Sequence, residues 1–224
     1  MRAARVLFNP VRGSDRLIAL QRDDGHARAL HYQALVRRAD PPEAADLMHF
    51  LCLLHGRRPG VIDHAAIHAV ATETGAWLEQ AAEGFVSERL YITRLTVAAG
   101  PVSGASESDH SEAAAIELRR SIQSLATSER RGCAAGAALA FALDWPELRH
   151  ILDPLARRLS IDPPPCELPK APDILDMADR ICGEPGPARA FLFGADQMFQ
   201  LQRVSWRLLS ARAKLRAEQL AQQS

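Results

Sequence analysis

The chain has 224 residues, 47% of them hydrophobic and 24% charged, and its 27 basic residues balance 27 acidic ones. A chain of this length buries roughly 70% of the surface that it exposes when unfolded, and the composition excludes wholesale disorder and a membrane-embedded protein. With no net charge and a pI near 7.1, no global field draws it to nucleic acid or anionic lipid, so neither is expected as a partner.

Arginine carries nearly all the positive charge, Lys170 and Lys214 being the only lysines. The first ten residues hold one short apolar stretch, Val6 to Phe8, too little for a secretory leader. Cys52, Cys133, Cys166 and Cys182 form no CxxC pair and read as reduced thiols in or near a core, so the expected location is the cytoplasm. The longest apolar runs, Leu47 to Leu54 and Cys133 to Leu143, are too short to cross a bilayer.

Helix signals recur from end to end, while alternating strand patterns are nearly absent. A first helical stretch from Ser14 to Ala39 is expected to break near Gly25. Asp40-Pro-Pro-Glu43 then reads as a cap, a proline-led first turn and an acid suited to a helix N-terminus. The helix it opens, Pro41 to His55, is apolar on every side and so belongs in the middle of the protein. Asp63 is placed to cap the next helix, and a longer one spans Gly75 to Ala99. Within it, Tyr91 to Val97 is rich in β-branched residues, yet it continues the spacing of Trp77, Leu78, Ala81, Phe85 and Leu90 with no turn signal, and it is read as helix.

A helix over 108–126 presents Ala115, Leu118, Ile122 and Leu125 on one face, and another follows from Arg131 to Leu143. Asp144-Trp-Pro-Glu147 resembles a capping box and predicts a new helix from Trp145 to Leu159. The proline-rich run 162–170 reads as a linker between a main bundle, 1–161, and a C-terminal helical hairpin or arm, 171–224, packed on the same core. In the arm, a short helix from Pro172 to Cys182 precedes a long one from Pro187 to about Gln219. The seam of that long helix is expected at Leu201, Val204, Leu208, Ala211 and Leu215, widened by Phe199 and Trp206. The predicted fold is all-α: an antiparallel bundle of seven to nine helices with a long C-terminal helix. Leu51, Leu54, Ile122, Leu139 and Phe141 are expected in one core.

Few residues point to chemistry. His49 sits at the centre of the all-round apolar helix, where an imidazole must find a hydrogen-bond partner, and Asp46 one turn earlier or a facing Glu88 or Glu112 can supply it. His55 ends the same helix, where a partly charged imidazole complements the helix dipole. Gly132 and Gly136 allow close approach to a helix backbone by another helix or by a flat ligand. Two Glu-x-x-His pairs, Glu107 with His110 and Glu147 with His150, match the spacing of ferritin-like di-metal bundles. His64 and His68 stand four apart, as paired metal ligands do, but lack the glutamate of a metalloprotease motif. No nucleophile elbow, P-loop or dinucleotide fingerprint occurs, and no cofactor is implied. The last helix is basic through Arg203, Arg207, Arg212, Lys214 and Arg216, without interleaved aromatics on the same face, which reads as a solvated exterior or a partner-binding arm.

Residues 54–65, Leu-His-Gly-Arg-Arg-Pro-Gly-Val-Ile-Asp-His-Ala, and 128–145, Ser-Glu-Arg-Arg-Gly-Cys-Ala-Ala-Gly-Ala-Ala-Leu-Ala-Phe-Ala-Leu-Asp-Trp, resemble an uncharacterised family of all-helical alphaproteobacterial proteins. The resemblance covers about 30–160 and brings no activity with it. The helix count and a buried histidine are similar in style to heme-oxygenase-like and thiaminase-like proteins, though the glycine-rich distal-helix signature of heme oxygenases is missing. Three functions follow from the sequence in order: a bundle binding a small apolar ligand between its inner helices near His49, a non-catalytic module engaging a protein partner or a second copy through the last helix, and a di-metal oxygenase.

Overall fold

Pro41 and Pro172 stand in the first turns of helices, and Gly25 breaks one. A computed structural model of the chain describes residues 12–69, 73–101 and 108–223, with side chains for all of these except 108–112 and 223. Nine α-helices and one 3-10 turn account for nearly all of the described residues, and no strand occurs among them. They are α1 (Gly13–Asp24), the 3-10 turn His26–Arg28, α2 (Leu30–Arg37), α3 (Pro41–His55), α4 (Val61–His68), α5 (Glu73–Ala99), α6 (Ser108–Ala126), α7 (Cys133–Arg158), α8 (Ala171–Ile181) and α9 (Pro185–Gln223). Proline, with its fixed φ and no N–H to satisfy, stands in the first turn of α3 and of α8. Tyr91 to Val97 is helical, as its spacing requires.

The expected break near Gly25 is real. Its N–H still bonds to the Gln21 carbonyl at 2.8 Å, but the chain turns extended there and restarts as the 3-10 turn and α2. Asp63 does not cap α4 from outside. It lies in the first turn, where its carboxylate accepts the Gly60 N–H at 2.8 Å.

The larger correction concerns α7. No break occurs at Asp144, and one helix runs from Cys133 to Arg158 with Pro146 and Pro154 inside it. Each proline removes a backbone donor and crowds the preceding turn. The cost is carried by packing, since every residue from Cys133 to Trp145 is buried. Asp144, which resembles a cap in sequence, is fully buried and accepts hydrogen bonds from the far side of the core.

Helix α9 lies along α7 at backbone contact. A Cβ on Gly136 would stand 2.0 Å from the Phe191 carbonyl oxygen, and one on Gly194 would stand 2.0 Å from that of Cys133. Two glycines on opposing helices thus allow each other's neighbours to approach. The buried stripe of α9 is Phe191, Ala195, Met198, Phe199, Gln202, Trp206 and Leu209. Phe199 and Trp206 are on this stripe, as expected, but the rest of the expected seam is displaced: Leu201, Val204 and Leu208 are half-buried beside the core, and Ala211 and Leu215 are exposed. The aromatic and methionine side chains on the adjoining face bury more area per turn, and they decide the rotation.

One continuous core takes in Leu51, Leu54, Ile122, Leu139 and Phe141 and extends from Leu17 to Leu209. The proline-rich run is tied down across it. Leu168 is buried, the Glu167 carbonyl sits where a Cβ on Gly84 would be, Ser87 donates to Glu167 at 3.1 Å, and Arg149 donates to the Pro164 carbonyl.

Candidate functional site

A charged group loses its hydration on burial and must recover it from partners. Four carboxylates are buried here, and each is met by donors from another part of the chain. Glu88 on α5 accepts the Trp145 indole N–H at 2.7 Å and the Arg149 guanidinium at 2.9 Å; Arg149 also reaches Asp153, which accepts the Tyr91 hydroxyl at 3.0 Å. Asp63 holds Arg89 of α5 and, at 3.1 Å, Arg58. Asp46 on α3 is clamped by Arg212 at 2.8 Å and by Arg216, both from α9. Asp144 accepts the backbone N–H of His26 at 2.8 Å and the Gln21 side-chain amide at 3.2 Å.

Two histidines complete this interior. The Nδ1 atom of His26 accepts the Trp206 indole N–H at 2.9 Å, so the proton of the neutral ring sits on Nε2, which lies 3.7 Å from an Asp144 oxygen, too far for a hydrogen bond. Burial lowers its pKa, against the pull of Asp144 and Glu147. His55 packs on Phe141 and Trp145, and its pKa is lowered to about 3 by burial, with His26 and Arg89 adding to the effect. The partly charged imidazole expected at the end of α3 is therefore a neutral ring in an aromatic cluster.

The residues singled out in the sequence fall in separate places. His49 is half-buried, and its Nε2 bonds to the Gly100 carbonyl at 2.7 Å, so it ties α3 to the end of α5. Asp46 binds arginines of α9, and Glu88 binds Trp145 and Arg149. Gly132 adopts a left-handed φ of 99° at the start of α7, and its Cβ position is filled by the Pro187 carbonyl, as that of Gly136 is by Phe191. Glu147 accepts the Tyr32 hydroxyl at 2.8 Å while His150 is exposed. His64 is half-buried and His68 exposed. Glu107 lies outside the described residues, as do the side chains of His110 and Glu112. Among the described residues no three histidine, cysteine, aspartate or glutamate side chains group as a metal site. All four cysteines are free, but Cys166 is exposed on the proline-rich run and not near-core.

Open space lies at the surface. A groove of about 590 Å³ between α4, α5, α7 and α8 carries Arg131 and Arg180, and both are spent on carboxylates, Glu184 at 3.3 Å and Asp176 at 2.7 Å. A second groove, of about 650 Å³, runs between the corner joining α1 to α2 and the outer face of α9. Arg28 and His31 stand on one wall beside Asp23, whose carboxylate pairs with Arg22 at 3.2 Å, Arg207 and Lys214 stand on the other, and Trp206 lies between them. The five basic residues of α9 are thereby sorted. Arg203 pairs with Asp24, Arg212 and Arg216 pair with Asp46, and Arg207 and Lys214 pair with no carboxylate among the described residues. The sequence showed these charges spread around a helix; which of them are spent depends on acids about 170 positions away and has no local signal.

Fold and site together define an all-helical protein with a charge-clamped interior and a cationic groove on its last helix. The chain belongs to DUF6975, a family of unknown function, whose model matches residues 21–217. No curated protein and no solved structure matches it. No helix among the described residues is long and apolar enough to cross a membrane.

Proposed function

We propose that the protein is a binding module that acts by recognition and not by turnover, with α9 as the recognition element and another protein as the partner. The observation that carries this reading is the division of labour along α9. From Phe191 to Leu209 the helix is core, held at backbone contact with α7. Beyond Leu209 none of its described residues is buried, two arginines fix it on Asp46, and over 207–214 its outer face carries the exposed Arg207, Ala211 and Lys214. A helix already fixed on the core presents its outer charges without a backbone ordering cost on binding.

An internal site for a small apolar ligand near His49 and the Gly132–Gly136 backbone is the lesser reading, because the polar atoms there bond within the chain and α9 covers the glycines. A di-metal oxygenase has less support still, since Glu147 binds Tyr32 and His150 faces solvent.

A photo-crosslinking residue placed at Ala211 of the full-length protein tests the proposal in its own host, with the same probe at exposed Glu79 of α5 as control. The expected result is a discrete protein adduct from Ala211 and none from Glu79. Equal labelling at both positions, or none at either, overturns the proposal. Light scattering at micromolar concentration then separates a second copy of this chain from a different protein.

A further inference from the structure

We infer that the groove between the α1–α2 corner and α9 receives an acidic segment of a partner protein, with carboxylates seated on Arg207, Lys214 and Arg28 and an apolar side chain against Leu30. The inference rests on α9 being the recognition element and names what it recognises.

Charge complementarity is the first argument. Among the cations that line the surface grooves, Arg120, Arg131, Arg180 and Arg203 each meet a carboxylate, and Arg130 lies over the Phe193 ring. Arg28, Arg207 and Lys214 are all exposed, line one groove, and meet none among the described residues. Three like charges on one groove give it a positive potential that attracts an anion, the more so at low salt.

Spacing is the second argument. Arg207 and Lys214 are seven residues apart on one helix, two turns or about 10 Å. Three residues of polyproline II chain, at about 3.1 Å each and three to the turn, span nearly the same distance and return to the same face, so glutamates at positions i and i+3 of such a segment meet both cations. The groove also has an apolar rim. Leu30 is 81% exposed, with Ala211 opposite it, and a single apolar residue between the carboxylates finds a contact there.

Rival anions fit less well. The cations are splayed along a half-open trough and do not converge on one point, as a small phosphate requires. Single-stranded nucleic acid needs exposed aromatic faces to stack on, and Trp206 is only 4% exposed, its indole N–H turned inward to His26.

The test is anisotropy of a fluorescent peptide of repeated Glu-Leu-Ser-Glu blocks titrated with the full-length protein. The controls are a Gln-Leu-Ser-Gln peptide and an oligouridylate of matched charge. Binding of the acidic peptide alone is expected, weakening as salt rises from about 50 to about 500 mM. The R207E/K214E variant should lose roughly tenfold in affinity, as reversal of two exposed pairs implies, while R207K stays close to the parent. R28E, on the opposite wall, supplies the same readout if the double variant does not fold. Tighter binding of the oligouridylate, equal binding of the neutral peptide, or affinity unchanged in R207E/K214E or R28E each overturns the inference. A crosslink at Ala211 without acidic-peptide binding leaves the recognition role of α9 standing and removes this occupant alone.

Discussion

The interior around α7 and the groove on the outer face of α9 treat charge in opposite ways. Inside, Asp46, Asp63, Glu88 and Asp144 are each closed off by donors from elsewhere in the chain, so that the helices are stapled together by carboxylates. In the groove, Arg28, Arg207 and Lys214 meet no carboxylate among the described residues. Charge neutralised at burial specifies the architecture, and charge left over at the surface is available to something else. The glycine seam between α7 and α9 joins the two regions.

The strongest way to break the interior half of this comparison is Glu88→Ala. It leaves Arg149 and the Trp145 indole without their shared acceptor, and truncating one member of a buried pair costs about 4 kcal/mol. Urea unfolding should show the loss; a change under about 1 kcal/mol would mean that Asp153 and the Pro164 carbonyl satisfy Arg149 unaided.

Next comes the seam. Gly136→Ala puts a methyl group into the Phe191 carbonyl, forces α9 off α7 and should cost about 3 kcal/mol. The same variant should weaken the acidic-peptide titration, because Trp206, which lines the groove, rides on α9.

Acid sharpens the contrast with a smaller effect. His55 is neutral when folded, with its pKa lowered to about 3, and takes a proton near pH 6.5 when unfolded. Above pH 6.5 it is neutral in both states and contributes no pH dependence. As pH falls from 6.5 toward 3 the unfolded chain binds a proton that the folded chain refuses, so stability declines by about 1.4 kcal/mol per pH unit. Between pH 6.5 and 5 this amounts to about 2 kcal/mol, and His26, lowered by burial, adds to it in the same direction. Thermal melts should show the slope, and His55→Phe should flatten it.

The smallest effect belongs to the groove. Arg207→Glu should change stability by less than about 0.5 kcal/mol, as surface substitutions do, while altering peptide affinity. A large stability loss would show that Arg207 serves the fold.

Much of this fold is written in local pattern. The spacing through Trp77, Phe85 and Tyr91 carries α5 to Ala99 despite its β-branched residues, and Pro41 and Gly25 mark a start and a break. The failures share one cause, partners distant in sequence. Asp144 reads as a cap because its neighbours Pro146 and Glu147 fit a capping box, whereas the group it serves is the backbone of His26, 118 residues earlier. His49 stands out for its apolar helix, yet its acceptor is a backbone carbonyl with no sequence signature. His26 and Trp206 meet over 180 residues; Trp206 shows in the apolar seam of its helix, but nothing local marks His26 as its partner. Arg207 is indistinguishable from Arg212 until Asp46 claims one of them and leaves the other.

The facing glycines of α7 and α9 also set a rule of inheritance. Gly136 and Gly194 lie 58 positions apart, but each is barred from gaining a side chain by the backbone that carries the other. Neither position has a viable first step toward a larger residue, and enlarging both at once only doubles the collision. Across the lineage of this chain the two sites should therefore drift as a single character, small together or, where the helices have moved apart, enlarged together.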